Sequence, residues 1–177
     1  MKTRLCLSVL VLISTAVLIY GQAGPKKPRT IDDYRPTTLG ELSALQPDGV
    51  LKEPNYQDSR IIVQAQIFPS RFKVVFDGTK RPLLDTKKTV IAQWANRYAG
   101  APEFYTRPYE TEMLFTENGE SHWLAVRNEF LPQFEQELKK GDAIELFVIK
   151  LGSARDEANK LVPVLLVEKY LKPAERP

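Results

Sequence analysis

Two pairs of carboxylates are the residues of this 177-residue chain whose spacing could support catalysis. Glu110 and Glu112 are two positions apart, on one face of a predicted strand, and Glu117 and Glu120 flank a predicted turn. A glycoside hydrolase needs two such carboxyl groups held about 5 to 9 Å apart in a cleft. Because 27% of the residues are charged, carboxylates on solvated faces are the simpler interpretation, and we predict no catalytic residue.

Histidine and cysteine are scarce in the sequence. His122 is the single histidine and Cys6 the single cysteine. A Ser-His-Asp triad, a Cys-His pair and a zinc site of histidines and cysteines are therefore excluded unless His122 alone serves. The sequence also lacks the Gly-x-Ser-x-Gly, Gly-x-Gly-x-x-Gly and P-loop motifs. We expect a protein that is not an enzyme and that needs neither a metal nor a cofactor.

The first 23 residues have the pattern of a secretory signal peptide. Lys2 and Arg4 precede the apolar run Leu5–Tyr20, and small residues at positions 21 and 23 mark a cleavage site after Ala23. The alternative is an uncleaved membrane anchor, although a spanning helix needs about 20 apolar residues. We predict a secreted or periplasmic protein that contacts a membrane only if the leader is retained.

Removal of this leader changes the charge balance. The whole chain has 25 basic and 22 acidic residues, and the leader takes two of the basic ones, so the mature protein is nearly neutral. Neutrality argues against nucleic acid as a partner, because binding it requires several clustered phosphate contacts. The mature protein also has no cysteine, which favours a bacterial envelope over an animal extracellular space.

The remaining chain divides into a linker, one domain and a tail. Residues 24–59 are rich in proline and polar residues and are predicted to be a linker, which is either only a spacer or a tether that packs loosely on the domain. Residues 60–171 carry the periodic patterns of one folded domain, and residues 172–177 are expected to form a disordered tail.

Alternating apolar residues from 60 to 76 predict either one long bent strand or two strands separated at Pro69-Ser70. A helix is predicted from Asp85 to the residues before Gly100, with Lys87 on its polar face. The elements expected after it are strands 110–116 and 121–127 joined through Asn118-Gly119, a helix at 129–138, a strand at 143–151, a polar loop at 152–160, and a strand at 161–171.

This order resembles the oligonucleotide/oligosaccharide-binding (OB) fold, by topology and not through a sequence signature. The stretches that carry the resemblance are WLAVRN (123–128), FLPQFEQEL (130–138), KKGDAIELFVIKLG (139–152) and LVPVLLVEKY (161–170). The resemblance implies a mainly β protein with two helices: a five-stranded Greek-key barrel with one helix between strands 3 and 4 and a helical insertion between strands 1 and 2. Another small closed barrel and an open α+β sheet with two helices on one face are the alternatives.

The resemblance also implies a ligand surface on the second and third strands and on the loops between strands 1 and 2 and strands 4 and 5. Aromatic and arginine side chains in these regions are suited to stacking on a ligand; the candidates are Tyr105, Arg107, Tyr109, Trp123 and Arg127. We therefore predict an exported domain that binds an envelope protein or a glycan. A single-stranded nucleic-acid binder and a small carboxylate-dependent hydrolase of the envelope are the alternatives.

Overall fold

A computed structural model of the chain describes residues 29–44, 60–100 and 103–172. The predicted leader, most of the predicted linker and nearly all of the predicted tail lie outside these residues. The elements in chain order are β1 (Arg35–Pro36), α1 (Leu39–Ala44), β2 (Ile61–Pro82), α2 (Asp85–Trp94), α3 (Glu103–Thr106), β3 (Thr111–Glu117), β4 (Glu120–Val126), α4 (Leu131–Glu137), β5 (Ala143–Arg155) and β6 (Leu161–Leu171).

Strand β2 is one continuous strand with a sharp bend, which decides between the two interpretations of the Pro69-Ser70 region. Pro69 pairs with Ile149 inside the ladder, and the register between β2 and β5 shifts between Val63 and Phe68. The proline therefore does not end the strand. Beyond Val75 the same strand pairs with β3, so β2 contributes to two neighbouring ladders.

The bend brings the start of β2 very close to the backbone of β5. A Cβ atom added at Gly152 would lie 2.0 Å from the carbonyl oxygen of Ile62, so no side chain fits there. Since Ile61–Val63 pairs with residues 152–154, β5 continues to Arg155. The sequence predicted a polar loop at 152–160, and this prediction is wrong for 152–155 because their pairing partner comes from a strand about 90 residues earlier.

Five strands close into a barrel in the order β2-β3-β4-β6-β5, with β5 pairing back to β2. All neighbours are antiparallel except β4 and β6, which run parallel. The predicted OB-like architecture is confirmed, including α4 between the third and fourth barrel strands and the helical insertion α2–α3 between the first and second. An open sheet is excluded because β5, the last strand in this order, also pairs with β2, the first, so none of the five strands is left at an edge.

Apolar side chains form two clusters on the two faces of the barrel wall. The interior cluster includes Phe72, Phe76, Phe115, Leu124, Phe134 of α4, Ile144 and Leu146. The outer cluster lies beneath α2 and includes Val90, Ile91, Trp94, Tyr109, Ile149 and Leu166. Strand β5 contributes to both clusters, which explains its nearly continuous apolar sequence.

The helix that begins at Asp85 ends where the sequence predicted, whereas α4 is shorter than predicted. Helix α2 continues as a π-helical turn, Ala95–Ala99, and ends at Gly100, whose φ of 68° is left-handed. Helix α4 is preceded by a 3₁₀ turn, Asn128–Phe130, and covers 131–137 where the sequence predicted 129–138. No helix among the described residues is both long and apolar enough to cross a membrane.

Residues 29–36 of the predicted linker pack on the outside of the barrel. Arg35 and Pro36 pair in parallel with Ser70 and Arg71 of β2. The Tyr34 ring is buried edge-on against Phe147, with centroids 5.3 Å apart. The hydroxyl of Tyr34 donates a 2.5 Å hydrogen bond to Glu168, which also binds the Arg29 guanidinium at 2.7 Å.

Helix α1 follows this segment and contributes Leu39 and Leu42 to the interior cluster of the barrel. Its first N–H groups are capped by Glu117, whose Oε2 accepts a 2.7 Å hydrogen bond from Leu39 N. At the other end, the buried Lys150 ammonium donates to the Leu42 carbonyl at 2.9 Å. Burial lowers the pKa of Lys150 to about 8. This part of the predicted linker is thus attached to the barrel by buried contacts.

Gly152→Ala should destabilise the protein, because the new methyl group would overlap the Ile62 carbonyl. We expect a loss of about 2 kcal/mol or more in the free energy of unfolding, as for other overpacked sites. Gly40→Ala is the matched control: it lies in α1 with no atom closer than 3.9 Å to the new Cβ, and alanine favours helices. Urea denaturation curves that overlap for the two variants would contradict this account of the bend.

Candidate functional site

Strands β4 and β6 separate at one end of the barrel. Among the described residues they pair only at Ala125 with Leu166 and at Val126 with Val167. Their other halves form the walls of an opening of about 610 Å³, which we call the seam cleft. Its lining comes from α1, α2, β2, β4, β6 and the β5–β6 loop, and includes Ser43, Arg81, Lys87, Trp123, Lys160 and Leu165.

Glu112 organises the buried charges beside the seam cleft. Its carboxylate is 0% exposed and binds the Lys87 ammonium through Oε2 and the Arg81 guanidinium, at 2.5 Å, through Oε1. Lys87 is itself only 3% exposed, and this desolvation lowers its pKa although Glu112 opposes the shift. Two cations therefore share one buried carboxylate. The other partner of Arg81 is Glu157, which is 72% exposed and screened by solvent.

Trp123 is held in the cleft through its ring and through its backbone. The Arg81 guanidinium carbon lies 4.2 Å from the centre of the indole ring, in cation–π geometry. The Lys87 ammonium donates a 3.0 Å hydrogen bond to the Trp123 carbonyl oxygen. The two cations that bind Glu112 thus also fix the orientation of Trp123.

The rim of the cleft is formed by the β3–β4 turn and the β5–β6 loop. Asp156 shapes this loop, because its Oδ1 accepts hydrogen bonds from the backbone N–H groups of Ala158 and Lys160. On the opposite rim, His122 Nε2 lies 3.9 Å from Glu120. Burial lowers the pKa of His122, although the nearby Glu120 and Glu117 carboxylates oppose this shift.

Of the five binding residues predicted from the sequence, Trp123 alone lines the seam cleft. Tyr109 is 5% exposed in the outer cluster, and its hydroxyl donates a 3.4 Å hydrogen bond to the Val167 carbonyl. Tyr105 is half-buried with its ring edge-on to Trp94, at a centroid distance of 5.0 Å. Both tyrosines support the helical insertion, so their rings are not available for stacking on a ligand in the cleft.

The two predicted arginines lie elsewhere. Arg107 is exposed after α3, and its carbonyl accepts a 3.2 Å hydrogen bond from the Asn128 side chain. Arg127 is half-buried and pairs with Glu129 at 3.0 Å. It follows β4 four residues after Trp123, which corresponds to about 13 Å along an extended chain. The structure does not bring the five residues together in one site.

The carboxylates considered for catalysis have separate environments. Glu112 is buried and ion-paired, whereas the neighbouring Glu110 is exposed. Glu117 caps helix α1, and Glu120 lies on the rim of the cleft. Within residues 29–44, 60–100 and 103–172, no three histidine, cysteine, aspartate or glutamate side chains cluster as a metal site requires.

Sequence reasoning did not select Arg81, considered Glu112 only as one of a pair of carboxylates, and placed Lys87 on the wrong face of its helix, although Lys87 carries a recognisable signal. It was predicted on the polar face of α2 and is instead buried, so that prediction is wrong. Positions 87, 90, 91 and 94 have the i, i+3, i+4, i+7 spacing of a buried helical stripe, on which a lysine requires a buried anion. A search for the buried anion that neutralises Lys87 would have led to Glu112 and to the walls of the seam cleft.

Comparison of the chain with protein-family models, curated proteins and solved structures finds no match.

Glu112→Gln should reduce the free energy of unfolding by about 3 kcal/mol, because it leaves two cations without their buried counter-charge. Glu110→Gln, the same change at an exposed position two residues earlier, should alter stability by less than about 0.5 kcal/mol. Adding Lys87→Met to Glu112→Gln should recover part of the loss. Equal denaturation midpoints for Glu112→Gln and Glu110→Gln would refute the buried network.

Proposed function

We propose that this protein is a non-enzymatic binding domain of the bacterial cell envelope, exported by its N-terminal leader, and that it binds a protein or a glycan in the seam cleft. The observation that carries the proposal is the position of the cleft. It lies between the third strand of an OB-like barrel and the loop that joins the fourth and fifth strands. Barrels of this topology bind ligands on that side.

The chemistry of the cleft supports a ligand with both polar and apolar groups. Trp123, held by Arg81 and Lys87, provides an aromatic surface, and Leu165 contributes an apolar wall. Because Lys87 is buried and Arg81 is stacked on Trp123, these groups are preorganised, which reduces the entropy lost on binding. The exposed Lys160 at the rim adds one positive charge.

Nucleic acid is a less suitable ligand. The charges of Arg81 and Lys87 are already directed at Glu112, and Glu120 and Asp156 line the same opening. Phosphate binding depends on cations that are free to neutralise the backbone. Hydrolysis also has weak support, since Glu112 is ion-paired and Glu117 caps a helix.

The proposal predicts that the purified protein binds an array of bacterial glycans or a panel of solubilised envelope proteins, and that Trp123→Ala weakens this binding about tenfold or more. Lys160→Glu tests the same cleft with an exposed residue that should not affect folding. The matched control is Lys73→Glu, which makes the same charge change at an exposed position of β2 outside the cleft.

Thermal unfolding of each variant separates lost binding from lost structure. Affinities within twofold of wild type for both Trp123→Ala and Lys160→Glu would place the ligand elsewhere on the protein. Failure of both panels to bind at all would contradict the proposed function itself.

A further inference from the structure

We propose that helix α1 is a latch: it covers the open part of the seam between β4 and β6, and it leaves the barrel in a local opening during which the barrel itself stays folded. Release of this latch joins the seam cleft to the apolar interior of the barrel, so docked α1 limits access to that interior. The latch is a property of the fold and does not depend on the ligand proposed for the cleft.

Helix α1 lies where β4 and β6 diverge. Gly40, Ser43 and Ala44 line the seam cleft together with the first halves of those two strands. The neighbouring face of the helix carries Leu39 and Leu42, which are fully buried in the interior cluster of the barrel. The helix therefore separates the seam cleft from the barrel interior.

Hydrogen bonds at both ends hold α1 on the barrel. Glu117, the last residue of β3, accepts from Leu39 N at 2.7 Å, and Lys150 of β5 donates to the Leu42 carbonyl at 2.9 Å. These are contacts between a side chain and the backbone, whereas the barrel strands are joined by continuous ladders. A helix of six residues is also too short to persist alone in water, so α1 depends on its contacts with the barrel.

Docking of α1 carries several unfavourable terms. It places the helix against the Lys150 ammonium, which is 1% exposed, and burial of a charge is costly even when the charge is hydrogen-bonded. The Ser43 hydroxyl is buried and has no hydrogen-bond partner among the described residues. Ordering six residues, Gly40 among them, costs conformational entropy. These costs offset much of the gain from burying Leu39 and Leu42, so we expect docked α1 to be much less stable than the barrel.

The segment before α1 provides a tether. Thr37 N donates to the Arg71 carbonyl at 3.0 Å, next to the residue pairs between β1 and β2. Further upstream, Tyr34 is buried and its hydroxyl is hydrogen-bonded to Glu168. Residues 29–37 therefore stay on the barrel when α1 leaves, and the backbone after Thr37 is the hinge.

The accessibility of a thiol inside the latch tests the proposal. The probe is Leu42→Cys and the matched control is Leu124→Cys, both in a chain in which Cys6→Ser removes the natural thiol; Leu42 and Leu124 are both 0% exposed in the interior cluster. Under native conditions a maleimide should label the thiol at position 42 at least about a hundredfold faster than the thiol at position 124. Equal rates would overturn the proposal, because both positions would then open only with the whole barrel.

Removal of a helix cap should open the latch more often. Glu117→Ala removes the acceptor of the first N–H groups of α1 and should raise the labelling rate at position 42 about fivefold, with no change at position 124. The matched control is Glu120→Ala, across the β3–β4 turn, where the side chain is 79% exposed; both rates should stay within about twofold. An unchanged rate at position 42 with Glu117→Ala, or an equal rise at both positions, would refute the latch.

A charged side chain tests whether the barrel folds without the latch. Because a carboxylate is costly to bury in the apolar interior, Leu42→Asp should release α1 and leave the β3–β4 ladder amides protected from exchange. Nile red, a neutral apolar dye, should then fluoresce more than with the wild type, and Leu124→Asp, the same change in the barrel wall, should abolish the protection. Loss of protection in Leu42→Asp, or an intact ladder with no gain in fluorescence, would contradict the latch and leave the proposed binding function standing.

Discussion

Closure of this barrel depends on two residue pairs between β4 and β6. Every other neighbouring pair of barrel strands is held by a longer antiparallel ladder, whereas β4 and β6 are parallel and, within the part of the chain that the structure describes, pair only at residues 125–126 and 166–167. The pairing of these residues closes the barrel. The divergence of the same two strands toward their N-terminal ends creates the seam cleft. Fold and candidate site thus follow from one constraint on strand pairing.

The buried Glu112 lies where this opening meets the helical insertion. Removing charged groups from water is costly, and one carboxylate shared by two cations compensates only part of that cost. An apolar triad of similar volume could have filled this space with less risk to stability. The network instead positions Trp123 through Arg81 and Lys87, and so holds one wall of the candidate site in one geometry.

Much of the fold could be predicted from sequence because its signals are local. The Asn118-Gly119 turn, the alternation along β6 and the position of α4 each depend on residues that are neighbours in the chain. The end of β5 could not be predicted in this way. Residues 152–155 are polar or small, and they form a strand because Ile61–Val63 pairs with them from far upstream. The packing of Tyr34 and Leu42 on the barrel likewise depends on contacts with distant strands.

The site was less predictable than the fold. Trp123 could be selected as an aromatic residue on the expected ligand face, but Tyr109 has the same residue-type signal and is buried beneath α2. Residue type does not indicate which side of a barrel wall a side chain faces at the end of a strand. Lys87 could have been recognised by its place on the buried stripe of α2, whereas the contribution of Arg81 depends on a β2–β3 register that the sequence does not specify.

The most direct test is residue-by-residue amide hydrogen exchange along β4 in the free protein. An open seam predicts that the amides of Ser121 and Trp123 exchange at least about a hundredfold faster than those of His122 and Leu124, which donate into the β3 ladder. Equal protection along 121–124 would mean that another strand already covers this edge. That result would contradict the account of the cleft as a binding site.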